Sequence, residues 1–459
     1  MKLPYFPNVQ NKFKKLDKKD KKLYVKLWFL NEQFGKDTDI GRFLKKAYEE
    51  YWTWEKFSNM PLPKLPTKKY SHELLWIYMR LFVRGKGKQL KNFNHLEGKP
   101  FTYSLTDSIL KDIHYIDMHL SDGILFQHSE NDDFEKAESK KRIISSLINE
   151  AITSSQIEGA ATTRKEAEAM IRSGKRPKTH DEKMILNNYR AIKLITEELK
   201  SNELSPDLIK RIHSILVNGI LDDPNDIGSF RGEPVHVYDA DGTNLFTPCD
   251  AKEIEERIKA VCDFANDKKE FYHPVIKAII LHFMIGYIHP FVDGNGRIAR
   301  GLFYWYLIRE GYKLFEYVSI SEIIKQSPGQ YKRAYLNSEL DGGDITYFIY
   351  YHLKVINNCI HKLEEYVIKK VKEHKQLENK IKRADFNYRQ IDLLNHAIKH
   401  KDFTYTIKSH ENSNSISWAT ARADLFDLVK KGLLIKKLRG KELVFFVSEE
   451  IEERLMKRD

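Results

Sequence analysis

Residues His289 to Arg300 read His-Pro-Phe-Val-Asp-Gly-Asn-Gly-Arg-Ile-Ala-Arg. A proton acceptor, a carboxylate, two glycines and two arginines share this short stretch. His289 can take a proton near neutral pH. Asp293 is a hard oxygen ligand suited to a magnesium ion that bridges phosphates. Gly294 and Gly296 let the backbone bend tightly and approach an anion. Arg297 and Arg300 are three residues apart, so both lie near one face of a helix start, and their guanidinium forks suit phosphate oxygens. The combination describes a nucleotide site with a base poised to activate a hydroxyl.

Two helices have to position these groups. The apolar run Val275 to Ile288 has helical spacing and ends at Pro290, and the run Ile298 to Leu307 is helical again. The spacing predicts a loop between two helices, with the N-terminus of the second helix at the loop. That terminus offers unpaired N–H groups and the positive end of the helix dipole, both of which attract phosphate. Upstream, Ser154-Ser155-Gln156-Ile157-Glu158-Gly159 follows the periodic run Ile143, Ile144, Leu147, Ile148, Ala151, Ile152. Taken alone, Glu158 before Gly159 reads as a helix end with a glycine stop.

The string from His289 to Arg300 resembles the signature of the Fic domain, His-Pro-Phe-x-Asp/Glu-Gly-Asn-Gly-Arg-x-x-Arg, at every specified position. The resemblance implies a protein adenylyltransferase. Such an enzyme transfers AMP from ATP to a Ser, Thr or Tyr hydroxyl of a target protein and releases pyrophosphate. It also implies His289 as the base and Asp293 as the Mg2+ ligand. Gly294, Asn295, Gly296 and Arg297 are implied as the cradle for the α- and β-phosphates, and Arg300 as the arginine that orients the γ-phosphate. Phe291 reads as an apolar anchor of the loop. Ser154, Glu158 and Gly159 match the family's inhibitory pattern, Ser/Thr-x-x-x-Glu-Gly/Asn, in the class whose inhibitory helix precedes the core. A carboxylate facing Arg300 would form a charge-assisted pair and occupy the arginine that the γ-phosphate needs.

Further segments fit the same resemblance. Val235, Val237 and Phe246 flank Asp239-Ala240-Asp241-Gly242, which reads as a β-hairpin. In Fic proteins a hairpin here resembles the flap that holds a target segment by strand addition. Gln330-Tyr331 and Asp341-Gly342-Gly343-Asp344 resemble segments bordering the adenine pocket, with Tyr331 the candidate for that pocket and Asp341 standing where relatives carry Asn. His273 and His282 read as packing or surface histidines.

The chain has 459 residues, enough for two to four domains. It contains no run of 18 or more apolar residues, so no transmembrane helix and no membrane partner is expected. Its start, Met1-Lys2-Leu3-Pro4, lacks a secretory apolar run. Cys249, Cys262 and Cys359 form neither a metal spacing nor an even disulfide framework, and a reducing cytoplasm is the simple reading. Net charge is +12 with a pI of about 9.1, which permits nucleic-acid contact without requiring it.

The chain divides into a Lys-rich arm (1–22), an aromatic-rich leader of unknown role (23–140), the Fic-type core with its inhibitory helix (141–360), a charged helical connector (361–383) and a tail (384–459). In the tail, Ile391, Leu394 and Ala397 mark one helix and Ser417 to Lys431 a second, which Gly432 ends. Leu433 to Leu438 and Glu442 to Val447 read as strands around a basic tip. This pattern resembles a winged helix-turn-helix. Trp418, Thr420 and Arg422 would face outward on a recognition helix, and Arg439 and Lys441 would sit at the wing to meet phosphates.

The expected fold is mainly α, a Fic-type helical core with a short β-hairpin flap and an α/β winged tail. Two classes of function stand side by side. One is an autoinhibited protein adenylyltransferase using ATP and Mg2+. The other is a DNA-binding regulator whose Fic core is a sensor or self-modifier. A Fic transferase with another nucleotide donor is a third reading. Family members often dimerise, so a homodimer is expected by analogy.

Overall fold

Helices dominate because apolar residues recur at three- and four-residue spacing along most of the chain. The computed structural model describes residues 39–62, 71–96, 98–120, 133–238, 241–380, 386–400, 402–440 and 442–456, with short pieces before residue 22. Asp239, Ala240, Lys441, much of the 1–22 arm and the end of the 361–383 connector lie outside the described residues. The first elements are α1 (Asp39–Glu49), α2 (Trp54–Asn59), α3 (His72–Lys86), β1 (Lys88–Asn94) and β2 (Pro100–Tyr103). Next come α4 (Asp107–Leu120), α5 (Asp133–Ile157), α6 (Arg164–Ser173), α7 (His180–Glu197) and α8 (Pro206–Leu216). The hairpin β3 (Val237–Tyr238) and β4 (Asn244–Phe246) precedes α9 (Ile254–Asn266), α10 (Pro274–Ile288) and α11 (Asn295–Arg309). Then follow α12 (Ile320–Gln326), α13 (Pro328–Leu340) and α14 (Thr346–Lys380). The tail holds α15 (Tyr388–Lys399), β5 (Thr404–Thr406), α16 (Ile407–Asn414), α17 (Trp418–Lys430), β6 (Leu434–Arg439), β7 (Glu442–Val447) and α18 (Ile451–Met456).

The fold is mainly α, as the sequence predicts, and α10 and α11 lie at its centre. Almost every residue of both helices is buried. Helix α10 is apolar on nearly all sides and so has to be enclosed by others, whereas α11 carries Asn295, Arg297 and Arg300 into the interior. Pro274 at the first turn starts α10, where its missing N–H costs nothing. His289 stops it in the left-handed region at φ 51°, and Pro290 follows. Helix α11 begins at once, with Gly294 at φ 84° as its N-cap. The expected loop between two helices is therefore present, and it is only six residues long, from His289 to Gly294.

The stretch 88–120 shares the core of α10 and α11. Leu90, Phe93, Phe101 and Tyr103 from β1 and β2, and Ile109, Ile113, Ile116 and Leu120 from α4, are buried in the same cluster. The expected division at residue 140 therefore cuts through one packed body. The connector expected at 361–383 is likewise no separate piece through residue 380, because α14 runs unbroken from Thr346. Strand β2 also joins the 341–344 loop: Thr102 N donates to Gly343 O at 3.0 Å, and Ile345 N donates to Thr102 O at 2.9 Å.

A buried ion cluster seals this joint. Arg80 of α3 is 1% exposed. It pairs with both Asp341 and Asp344, and Tyr51 donates to Asp344. Tyr347 donates to Asp341 at 3.0 Å. The Arg80 charge holds the Asp344 carboxyl below its ordinary range although burial opposes this. Asp341, which the resemblance puts at the border of the adenine pocket, is instead closed off by Arg80 and Tyr347.

The tail has a core of its own, built by Leu394, Ala397, Leu425, Leu428, Leu433 and Phe445. Its order is helix, strand, helix, helix, strand, strand, helix, and the sheet order is β5-β7-β6, all antiparallel. The predicted hairpin corresponds to β6 and β7. Strand β5 is an addition that the short Thr404–Thr406 segment does not announce in sequence.

Replacing Arg80 with Met would leave two buried carboxylates without their cation. Removing one member of a buried ion cluster costs about 3–5 kcal/mol. Urea unfolding of Arg80→Met should show a loss of that order, and an unchanged midpoint would contradict the structural role given to Arg80.

Candidate functional site

The loop from His289 to Gly294 is held from beneath by groups that are not themselves exposed. Asn295 is buried, and its side chain bridges the backbone of Phe291: it accepts from Phe291 N at 2.9 Å and donates to Phe291 O at 2.8 Å. Phe291 is fully buried and stacks on His213 of α8, with ring centroids 3.8 Å apart. His213 accepts from Gly228 N at Nδ1, 3.0 Å, so its Nε2–H donates to Asp293 O at 3.1 Å. Burial pushes the His213 pKa down to about 4, which keeps this tautomer neutral and fixed. Arg231 clamps the other end. Its N–H donates to Pro290 O at 2.9 Å, its Nε to His289 O at 2.8 Å and its Nη2 to Cys249 O at 2.6 Å. This clamp holds His289 in a backbone region that L-residues enter at a cost of roughly 1–2 kcal/mol.

His289 itself lies at the C-terminus of α10. Its Nδ1 faces Gly286 O at 3.3 Å, the arrangement in which Nδ1 carries the hydrogen and Nε2 keeps its lone pair. Burial lowers its pKa, outweighing the Gly286 carbonyl and the Glu158 carboxylate that act in the other direction. The imidazole is therefore neutral near pH 7 and able to accept a proton.

Arg300 lies in the second turn of α11 and is 1% exposed. Its Nε donates to Ser154 Oγ at 2.8 Å and its Nη2 to Ser154 O at 3.0 Å. The same Nη2 donates to Glu158 Oε1 at 2.7 Å. Burial works against the cation, but the Glu158 carboxylate beside it holds its pKa above the ordinary arginine value. The Nη1 atom of Arg300 is buried and has no hydrogen-bond partner among the described residues. Such an orphaned cationic donor is a position where an anion would be welcome.

Glu158 occupies the space over the first turn of α11. A side chain at Gly296 would collide with its Oε1. The absence of one at Gly296 is what lets the carboxylate reach the helix N-terminus, where no side chain caps the N–H groups. Gly159, at φ 103°, turns the chain away from α5 immediately afterwards. Helix α5 is anchored upstream by buried Glu150. Glu150 accepts from Tyr304 Oη at 2.9 Å, from Ser319 Oγ at 2.8 Å and from Ser321 N at 3.0 Å.

The remaining sequence candidates fall in distinct places. Asp293 is partly exposed, and its Oδ2 accepts from Arg297 Nη2 at 2.7 Å. Arg297 is fully buried, and its Nη1 also donates to Leu216 O at 3.3 Å. The structure thus brings His289, Asp293, Gly294, Gly296, Arg300, Ser154 and Glu158 together, while the side chains of Asn295 and Arg297 point into the scaffold. Tyr331 places its hydroxyl 2.9 Å from His282 Nε2 and beside the Arg300 guanidinium. Its ring packs against Tyr335, Tyr351 and His352. His282 is fully buried, as a packing histidine would be, and His273 pairs with Asp117 at 3.0 Å. The flap pairs Val237 with Phe246, and Phe246 packs on Tyr287, two residues before His289. His213 is a positioning residue missed in the sequence; its only signal there is a histidine on the buried stripe of α8, which also fits ordinary packing.

In the tail, Trp418 and Arg422 are exposed at the start of α17, with Arg422 lying over Phe426 at 4.6 Å. Thr420 is half-buried, and its hydroxyl is engaged with Ser417 Oγ at 2.9 Å. Arg439 is exposed at the end of β6.

The Glu158 charge is one of the influences that raise the His289 pKa. Removing it in Glu158→Gln should therefore lower the pKa further. Titration followed by imidazole NMR should place His289 below the ordinary imidazole value in the wild type and lower again in the variant. An upward shift would contradict this electrostatic picture.

Residues 203–307 match the family model described as "Fic/DOC family". Over 147 residues the chain is 30% identical to "Protein adenylyltransferase fic-1" of Caenorhabditis elegans, covering 31% of this chain and 27% of that protein. Over 181 residues it is 30% identical to "Protein adenylyltransferase Fic" of Nematostella vectensis, covering 38% of this chain and 40% of that protein. The chain thus spans less than half the length of these curated relatives. Among solved structures, a Fic family protein from Desulfovibrio desulfuricans G20 aligns with a TM-score of 0.48 at 17% identity, over 76% of this chain and 98% of that one. The chain therefore carries a domain of the Fic/DOC family, at residues 203–307.

Proposed function

We propose that the protein is an autoinhibited protein adenylyltransferase. It moves AMP from ATP to a Ser, Thr or Tyr hydroxyl of a target protein and releases pyrophosphate. The observation that carries this reading is the occupied cradle: Glu158 sits over Gly296 and bonds Arg300, whose Nη1 is left without a partner. A triphosphate would fit the same place, with its inner phosphates against the N–H groups at the start of α11 and its terminal phosphate on Arg300. His289 Nε2 would take the proton of the incoming hydroxyl as oxygen attacks the α-phosphorus and the bond to pyrophosphate breaks. Asp293, partly exposed beside the cradle, offers the carboxylate oxygen that a hard cation shared with phosphates requires. Magnesium, when bound with the nucleotide, would neutralise phosphate charge there. The relatives' printed name, protein adenylyltransferase, supports ATP as the donor.

The target segment is proposed to dock on the β3–β4 flap, where the exposed Tyr238 stands on a short two-stranded hairpin. A reducing, cytoplasmic setting is supported by Cys249, Cys262 and Cys359, all free and buried. Among the described residues no helix is long and apolar enough to cross a membrane.

A second reading, contact with duplex DNA through the tail, is supported by its order of elements, which resembles that of a winged helix-turn-helix, with Trp418 and Arg422 exposed on α17 and Lys436, Lys437 and Arg439 exposed on β6.

Label transfer from α-labelled ATP with magnesium tests the first reading. Glu158→Gly should label protein at least about tenfold faster than wild type, because the γ-phosphate regains its arginine. His289→Ala in the same chain should abolish the label. Equal labelling by Glu158→Gly and wild type would sink the autoinhibition. For the tail, fluorescence anisotropy with a duplex should show salt-dependent binding that Arg422→Glu weakens; no binding at low salt would remove the DNA reading.

A further inference from the structure

Glu158 lies at the bend between two helices packed on each other. Helix α5 comes in and ends at Ile157; α6 leaves from Arg164. Ile148, Ile152, Ala160, Ala167, Met170 and Ile171 share one small apolar cluster with Met184 and Ile185 of α7. The incoming leg is fixed in the core by Glu150. The outgoing leg is largely exposed and buries only Ala167, Met170 and Ile171.

The far end of that outgoing leg is held by the C-terminal unit. Arg172 of α6 donates through Nη2 to Ser145 Oγ of α5 at 3.0 Å and through Nη1 to Ser413 Oγ of α16 at 3.3 Å. Asn412 of α16 donates to the Arg172 carbonyl. Nearby, Lys141 of α5 pairs with Asp392 of α15. The bonds across the seam are polar, and an open cleft of about 630 Å³ with a mixed lining remains in it. Ile144 and Leu147 of α5, Tyr189 of α7, and Glu411 and Ile416 of the tail line this cleft. An interface with unfilled space forgoes the dispersion contacts of a packed core, and polar interfaces between units of one chain are the kind that open.

We propose that the C-terminal unit is a clasp on the α5–α6 pair: docked, it holds the bend that keeps Glu158 over Gly296; undocked, it lets α6 and the bend move, and Arg300 is released. This rests on Glu158 being the brake proposed above. It gives the tail a part in controlling transfer, whatever it binds. The helix that docks, α16, immediately precedes α17, so a ligand gripping the exposed face of α17 would act on the element that carries the clasp.

The test uses the full chain and hydrogen exchange at the amides of Glu158, Gly159 and Ala160, which bond back to the end of α5. Arg172→Ala and Lys141→Glu should each raise exchange there by about tenfold or more. Pairing Lys141→Glu with Asp392→Lys should bring it back toward wild type, which a general folding defect would not do. Labelling from ATP should rise in the two opened variants. Unchanged exchange in both single variants would overturn the clasp, as would failure of the reversed pair to restore it. Faster exchange without added label, in a protein whose Glu158→Gly form does label, would overturn the link to the brake. Faster exchange in a protein whose Glu158→Gly form takes no label would keep the clasp and discard the transferase reading.

Discussion

The buried guanidinium of Arg300 is the constraint on which the site depends. A cation almost without solvent has to be met by polar groups from the protein or from a ligand. Here Ser154 and Glu158 meet two of its nitrogens, and the third has no partner among the described residues. The pair with Glu158 is thus incomplete by one donor. Because Glu158 also fills the room left by Gly296, one carboxylate occupies both the helix terminus and the arginine, the two places where the proposed function puts a nucleotide's phosphates.

The elements around this pair hold its two partners in contact. Helices α10 and α11 form the centre because they are buried on nearly all sides. The loop between them cannot drift, since Asn295, His213 and Arg231 grip its backbone at several points. Helix α5 brings the carboxylate in and is pinned by Glu150. The N-terminal segments do not stand apart from this machinery. Through Arg80 and β2 they fix the 341–344 loop, which follows α13, the helix that carries Tyr331 to the edge of Arg300.

Much of the site was legible in the sequence because it is local. His289, Asp293, Gly294, Gly296 and Arg300 lie within a single loop and helix start, and their chemistry is explicit in their types. The meeting of Glu158 with Arg300 spans 142 positions, and only the resemblance to a known pattern suggested it. What stayed hidden has the same cause. Arg80 meets Asp344 across 264 positions, and Arg172 meets Ser413 across 241. Arg80 has no acidic neighbour within a helical turn, and Arg172 has only Glu168 four residues before it, an ordinary surface pair that does not point to the tail. The inward direction of the Asn295 and Arg297 side chains was also out of reach, because a helix start shows which residues share a turn but not which of them the core will take. The continuity of α14 was masked by its change from an apolar to a charged composition as it leaves the core.

The most direct test of the central claim is a crystal structure of Glu158→Gly bound to a non-hydrolysable ATP analogue and magnesium. The account predicts the terminal phosphate on Arg300, with Nη1 now bonded, and the inner phosphates on the N–H groups around Gly296, leaving the α-phosphorus within reach of His289 Nε2. A nucleotide bound away from Arg300, or an Arg300 that keeps its Ser154 bonds while Nη1 stays without a partner, would contradict it.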